Sequence, residues 1–544
     1  MQAKNLTEKE QAVKDVVVEN QKEALTLLKD LVNINSGTMN FDGVKTVTDI
    51  ADGELQALGF DTRWEKPAGV KRAAHLFASR EGGDGKRVLL LAHADTVYPK
   101  DNEFQKFRQD KNNAYGPGVI DDKGGMVVLI QALKALEQTG QLEDANITVA
   151  IISDEESVGE PLETARQPLI DAAQASNYVL AFEPGYDFNE AVTGRRGIAY
   201  WRLDVESENA ETTQSETVFN ANFLVGGTDA DDEAGTAFGK GNVIPQKTIT
   251  TGTLQCETDA DCQNIQDVMK DIVSQTGARS APTKSTIKFI TDETNSDNIL
   301  NWQLNTEGQG GHSSRIFLPE FGHAAILETA RILAVLAENI ENQNDAILSS
   351  AYILSNFEQA LIEDDSGLTF NPSVIAGGTE VAFDLDTSIA EVSKENIPAQ
   401  QAVTYGDIRY LSKAQCEKAI QVMKKTVADA NTHANSETKT SLEFVTICKP
   451  SMSPSDKNEA LLETLSDINV ALGYGEVTAA DAITRGAADV SYIADLENIE
   501  GSLDSLGPTG SNMHAIEESM QIDSLTKATE RAAILINRLI HPTE

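Results

Sequence analysis

An α/β fold with a mostly parallel central sheet flanked by helices is the class this sequence predicts, on three observations. Several apolar runs are continuous rather than alternating: Arg87 to Ala92, Ile147 to Ser153 and Tyr178 to Phe182. Such runs read as strands buried on both faces of a parallel sheet. Helical periods separate them, so strand and helix alternate as far as Glu183. The chain has 544 residues, too many for one core, so a second domain is expected.

Taken in order, residues 8 to 34 read as one long amphipathic helix with Leu25, Leu28, Leu31 and Val32 on its apolar side. Residues 45 to 58 read as another, stopped by Gly59. A strand, a loop and the strand ending at His93 follow. The helix from 122 to 139 stops at Gly140, a residue type common just past helix ends. Helices near 321 to 342 and 412 to 430 suit an α+β region with helices on one side of an antiparallel sheet. After Pro450 the chain returns to the first domain, which a helix from 523 to 540 closes. The expected boundaries are 1–196, 197–448 and 449–544, with an extra insertion at about 207–300. Within it, Gly226 to Gly235 has the acidic spacing of a calcium loop, but Ala234 stands where that pattern wants glycine.

Composition excludes some functions. The net charge of −41 argues against a nucleic-acid partner, which needs a basic face. It suits a saline habitat or high solubility. No apolar run approaches the ~18 residues of a membrane span. The amino end carries no signal peptide, which fits a cytoplasmic chain or an exported one whose leader has been removed. Cys256 and Cys262 flank a short acidic stretch. Cys416 starts a helix and Cys448 ends the next strand, positions on the same side of a strand–helix–strand crossover. Both pairs look like disulfides, which favours a periplasmic or secreted protein over a cytoplasmic one.

The chemistry concentrates where the apolar runs stop. In order come His93-Ala-Asp95, Gly116-Pro-Gly-Val-Ile-Asp121-Asp122, Asp154-Glu155-Glu156, Phe182-Glu183-Pro184 and, much later, Ser511-Asn-Met-His514. Taken singly, His-x-Asp reads as a surface pair, Asp-Glu-Glu as a solvated charge run and Gly-Pro-Gly as a turn. Jointly, each at a strand end, they converge on the edge where parallel sheets bind ligands. Carboxylates packed together repel one another and raise each other's pKa values, a cost that bound cations relieve. A donor set of N and O only suits two Zn²⁺, with Co²⁺ or Mn²⁺ as alternatives. Two such ions can share a bridging carboxylate. On this reading His93, Asp121, Glu156, Glu183 and His514 are the ligands, with Asp121 bridging. Asp95 holds the other imidazole nitrogen of His93, and Glu155 is the general base.

These motifs resemble the M20 family of co-catalytic dinuclear zinc peptidases, and within it the glutamate carboxypeptidase-like branch. The resemblance implies the same ligand set, base and orienting residue in a catalytic domain of zinc exopeptidase type, with an inserted lid and dimerisation domain. In that lid, Gly310-Gly-His312 resembles a motif whose imidazole reaches the partner subunit's active site. Glu395-Asn396 and Gly406-Asp-Ile-Arg409 resemble segments that bind the substrate's terminal carboxylate. Arg409 suits that task because its planar fork binds carboxylates bidentately. Gly486-Ala-Ala-Asp489 resembles a segment beside the active site. The stretch 207–300 has no counterpart in the resemblance. Arg195 and Arg196 depart from the branch's pattern and read as hinge surface rather than as substrate contacts.

The implied activity is hydrolysis of an amide bond next to a free carboxylate, by a homodimer, as in a carboxypeptidase or dipeptidase-like exopeptidase. The alternatives are an N-acyl amino acid amidohydrolase and, in another class, a catalytically silent homologue that binds peptides.

Overall fold

A computed structural model describes residues 5–207, 217–277, 282–290, 298–340, 342, 345–362, 367–394, 397–433 and 438–541. The chain forms two compact units. The first comprises residues 1–195, 451–482 and 487–544, the second 196–450 and 483–486.

The first unit is built on a six-stranded sheet. From edge to edge its strands are Asp61–Glu65, His75–Arg80, Asn146–Ile152, Arg87–His93, Tyr178–Ala181 and Gly501–Leu503. Only His75–Arg80 runs against its neighbours, so the sheet is mostly parallel. The continuous apolar runs sit in its middle, where both faces are covered: every residue of Asn146–Ile152 is buried. Helices Lys123–Gln138 and Ile522–Ile540 pack in the larger core on one side. Helix Leu162–Gln174 packs in a smaller core on the other. The helix expected over 8 to 34 is in fact two, Glu8–Glu19 and Gln21–Val32. Asn20, at φ −82° and ψ 0°, breaks it. Both halves still turn leucine and valine inward, so the apolar period persists across the break.

The second unit carries an eight-stranded, wholly antiparallel sheet. Helices Asp259–Gly277, Ala324–Asn339, Ala346–Ile362 and Lys413–His433 share a core with it around Trp201, Trp302, Phe357 and Phe370. A four-stranded sheet shares a second core with it. The stretch without a counterpart supplies the strands Val218–Gly227, Lys247–Gln255 and Lys284–Ile290, so it widens the main sheet rather than hanging from it. Its acidic loop is a hairpin turn in which Asp231 Oδ1 accepts from the amides of Glu233 and Ala234, each at 2.9 Å. Disulfides join Cys256 to Cys262 and Cys416 to Cys448. Among the described residues no helix is long and apolar enough to cross a membrane.

Candidate metal centre

The carboxyl ends of the parallel strands carry the site. His93 is the last residue of its strand, and Ile152 pairs with it just before Asp154-Glu155-Glu156. Glu183 lies two residues past the end of the adjacent strand. Asp121 precedes helix Lys123–Gln138, on a loop shaped by a residue that the sequence reading missed, Glu518. Its buried carboxylate accepts from the amides of Gly118, Ile120 and Asp121 at 3.2, 2.9 and 3.3 Å, and from the Tyr98 hydroxyl at 2.9 Å.

Asp121 sits between two imidazoles. Its Oδ1 is 3.0 Å from His93 Nε2 and its Oδ2 is 3.0 Å from His514 Nε2. Glu183 Oε1 lies 3.6 Å from His93 Nε2, and Glu156 Oε2 lies 3.2 Å from His514 Nε2. Two trios result, His93–Asp121–Glu183 and Asp121–Glu156–His514, each compact enough to hold a cation and sharing one aspartate. Glu155 belongs to neither.

Asp95 organises this edge. It is fully buried and accepts from the Thr38 hydroxyl at 2.6 Å and from the amides of Glu155 and Glu156 at 3.0 and 3.1 Å. Its main-chain oxygen is 3.1 Å from His93 Nδ1 and its Oδ1 is 3.4 Å away. One residue thus meets the imidazole, chiefly through its main-chain oxygen, and with its carboxylate holds the turn that carries both glutamates. Asp122, also buried, accepts from the His93 amide at 3.0 Å.

Burial and mutual repulsion dominate the electrostatics of these carboxylates. Burial, followed by the charge of Glu183, pushes Glu155 well above the usual carboxylate range. Burial pushes Glu183 up to about 8 and, with Asp121, raises Glu156. His514 is pushed up to about 11 by its bonds to Asp121 and Glu156. Burial opposes charge on His93, yet the bonds to Asp121 and Asp95 raise it too. Glu156 Oε1 is buried and makes no hydrogen bond. A buried carboxylate oxygen with no hydrogen-bond partner, among carboxylates and imidazoles gathered about one aspartate, matches the donor set of a divalent cation. The residues fit a divalent metal.

The enclosure of three arginines escaped the sequence reading. Arg195, expected on the surface, is largely enclosed: its Nε lies 2.5 Å from Asp504 Oδ2, and its charge acts on Glu183 and Glu155. Arg196 is wholly buried, with NH1 3.2 Å from both Gly367 O and Thr369 Oγ1. Beneath the glutamates, Arg166 bridges Asp154 at 2.6 Å and Asp489 at 2.7 Å. These residues are scattered in sequence, and no local spacing marks them.

In the second unit Arg409 is held by Ser313 Oγ at 3.0 Å and Asp407 Oδ2 at 3.1 Å, and its NH2 lies 3.4 Å from His312 Nε2. Burial and the Arg409 charge lower His312 to about 4, so it is neutral at physiological pH. Asn396 lies outside the described residues.

An α/β unit that gathers two His–carboxylate trios about one aspartate at the carboxyl edge of its sheet has the build of a metal-site protein. The chain belongs to Peptidase family M20/M25/M40, whose profile matches residues 89–538. It is 35% identical over 189 residues to carboxypeptidase G2 of Pseudomonas sp., a match covering 34% of this chain and 44% of that relative. It is 24% identical over 509 residues to a putative dipeptidase of Staphylococcus epidermidis, covering 89% and 93% of the two chains. The crystal structure of aminopeptidase PepT from Bacillus cereus superposes with a TM-score of 0.58 at 14% identity, over 96% of this chain and 99% of that one, and shares its fold.

Proposed function

We propose that this protein is a dinuclear zinc hydrolase that cleaves an amide bond next to a free carboxylate, in the manner of a carboxypeptidase or dipeptidase-like exopeptidase. The observation that carries the reading is Asp121 shared between two trios, with Glu155 beside them but bonded to neither imidazole. His93, Asp121 and Glu183 would hold one ion, and Asp121, Glu156 and His514 the other. When bound, such ions supply Lewis acidity toward a carbonyl and toward a water. Glu155 takes a proton from the attacking water and returns it to the leaving amine. Asp95 fixes its backbone amide, and the burial that raises its affinity for protons suits a base that must give the proton back. Arg409, aimed by Ser313 and Asp407, clamps the substrate carboxylate together with Asn396. His312, neutral, donates a hydrogen bond to the developing oxyanion, from the partner chain of a homodimer formed by the second unit. The disulfides support an exported protein, periplasmic or secreted.

The test is a panel of dipeptides, peptides ending in glutamate and N-acyl amino acids, offered to the zinc-loaded chain. Hydrolysis that ceases on chelation and returns with metal is expected. A protein with its metal content verified that cleaves none of them overturns the reading.

A further inference from the structure

Beneath the turn that carries Glu155 lies a guanidinium with no part in the reaction proposed above. Arg166 stands on helix Leu162–Gln174 and is 1% exposed. Its NH1 donates to Asp154 Oδ1 at 2.6 Å, and its NH2 to the Asp154 main-chain oxygen at 3.3 Å. Its Nε lies 2.7 Å from Asp489 Oδ1. The Tyr492 ring stands against the guanidinium, its centroid 5.5 Å from Cζ. Asp489 and Tyr492 are the two ends of one short helical segment, Asp489–Tyr492. A separate stretch of chain therefore grips the arginine from behind, while the arginine grips the residue before the base.

Stability does not account for this arrangement. One guanidinium and two carboxylates buried together are commonly no more stabilising than apolar side chains of similar volume. What such contacts do supply is geometry, because a planar fork sets the angle of its acceptors as well as their distance.

That geometry acts on one peptide unit. The carbonyl of Asp154 accepts from Arg166, and the N–H of the same unit, which belongs to Glu155, donates to Asp95 Oδ1 at 3.0 Å. A peptide unit is planar. A bond at each end thus fixes its tilt, and with it the direction in which the Glu155 side chain leaves the backbone. The Asp154 carboxylate closes the frame, for its Oδ2 accepts from the Gly159 amide at 2.9 Å, beyond the glutamates. Asp95 serves both glutamates, since it also accepts from the Glu156 amide. Arg166 differs: among the described residues it bonds to no member of the two trios.

We infer that Arg166 is the positioning residue of the base. Held by Asp489, it fixes the Asp154–Glu155 peptide and so aims Glu155, with no share in holding metal. The inference rests on the reading proposed above, in which Glu155 moves the proton.

Arg166→Lys tests it, since lysine keeps the charge but cannot meet the carboxylate, the carbonyl and Asp489 at once. On a substrate of the panel that is cleaved, kcat is expected to fall roughly 10–100-fold, the scale of an ångström's misplacement at a reacting group. KM and zinc content should stay at the parent level. In a Glu155→Gln background the same substitution should lower kcat by less than about twofold, because a residue that acts through Glu155 then has nothing left to aim. Equal fold losses in the two backgrounds, or an undiminished kcat in Arg166→Lys, overturn the inference. Hydrogen exchange at the Glu155 amide reads the same hold without turnover. It should quicken roughly tenfold in Arg166→Lys, about what one lost buried hydrogen bond is worth, while strand Asn146–Ile152 keeps its protection. Asp489→Asn, which loosens the arginine from behind, should quicken it too and carries the test where the lysine variant does not fold. Unchanged exchange at Glu155 overturns the inference even in an active enzyme. Faster exchange confined to that turn, in a zinc-loaded protein that hydrolyses nothing, upholds the grip of Arg166 and removes the proposed reaction.

Discussion

Replacing Asp95 by asparagine exchanges one oxygen for an amide nitrogen, yet the structure makes it a severe substitution. Three donors meet the two carboxylate oxygens: the Glu155 amide on Oδ1, and the Thr38 hydroxyl and the Glu156 amide on Oδ2. Asparagine offers one oxygen. Whichever way its amide turns, one of the two backbone N–H groups loses its acceptor and faces another donor. Leaving a buried donor unsatisfied costs about 1–3 kcal/mol. The contacts that survive fall from charge-assisted to neutral strength, a loss of about 1 kcal/mol each. Together these come to roughly 2–5 kcal/mol. In a unit of this size about 1 kcal/mol shifts the melting temperature by about 2 °C, so Asp95→Asn should melt roughly 4–10 °C lower. Calorimetric melting in the presence of a chelator isolates this frame from metal affinity. Thr38→Val, which removes only the hydroxyl, should cost less, and the double variant should cost less than the two separate losses combined. A fall under about 1 °C for Asp95→Asn would show that the carboxylate does not hold the turn.

Three other outcomes follow from the site and its surroundings. Glu155→Gln should lower kcat by about 10²–10⁴ while leaving zinc content at the parent level; undiminished turnover would remove Glu155 from the role of base. Without metal, stability should fall between about pH 5 and 9. Glu183, raised to about 8 in the folded chain, favours folding fully only below its unfolded pKa near 4.5 and loses that contribution as pH climbs to 8. His514, raised to about 11, loses its own contribution as pH climbs from about 6.5 toward 11, in the same direction. Saturating zinc should flatten this slope, and melting curves with and without chelator across that range decide the matter. In the second unit, burial pushes Asp345 up to about 7. Its stabilising protonated form is lost as pH rises from about 4 through 7, so Asp345→Asn should gain stability relative to the parent at pH 8 compared with pH 5. A constant difference between the two melting temperatures would refute this.

How much of the molecule was legible beforehand depends on how local the cause was. The parallel sheet announced itself because strands covered on both faces carry continuous apolar runs, as Val149–Ile152 and Val88–Ala92 do. The site candidates His93, Glu156 and Glu183 stood out because each ends or follows such a strand, and Asp121 because it precedes a helix; the structure brings them with His514 into two trios. Helix ends were readable where glycine adopts positive φ, as at Gly140 with φ +69°. The break at Asn20 was not, because the apolar period runs through it. Helix Ala346–Ile362 went unplaced for the opposite reason: it is buried over much of its circumference and shows little amphipathic contrast.

Least legible were the residues that hold the site in place. Glu518 shapes the Asp121 loop from nearly four hundred residues away, at separations of 397 to 400. Arg195 meets Asp504 across 309 residues. Side chains of this kind are polar in sequence and buried in space. Nothing short of the fold tells them from surface charge, which is why Arg195 and Arg196 read as hinge surface. A reading by periodicity finds what is buried for its own sake. It does not find polar groups buried for the sake of a neighbour, and in this chain those exceptions surround the two trios.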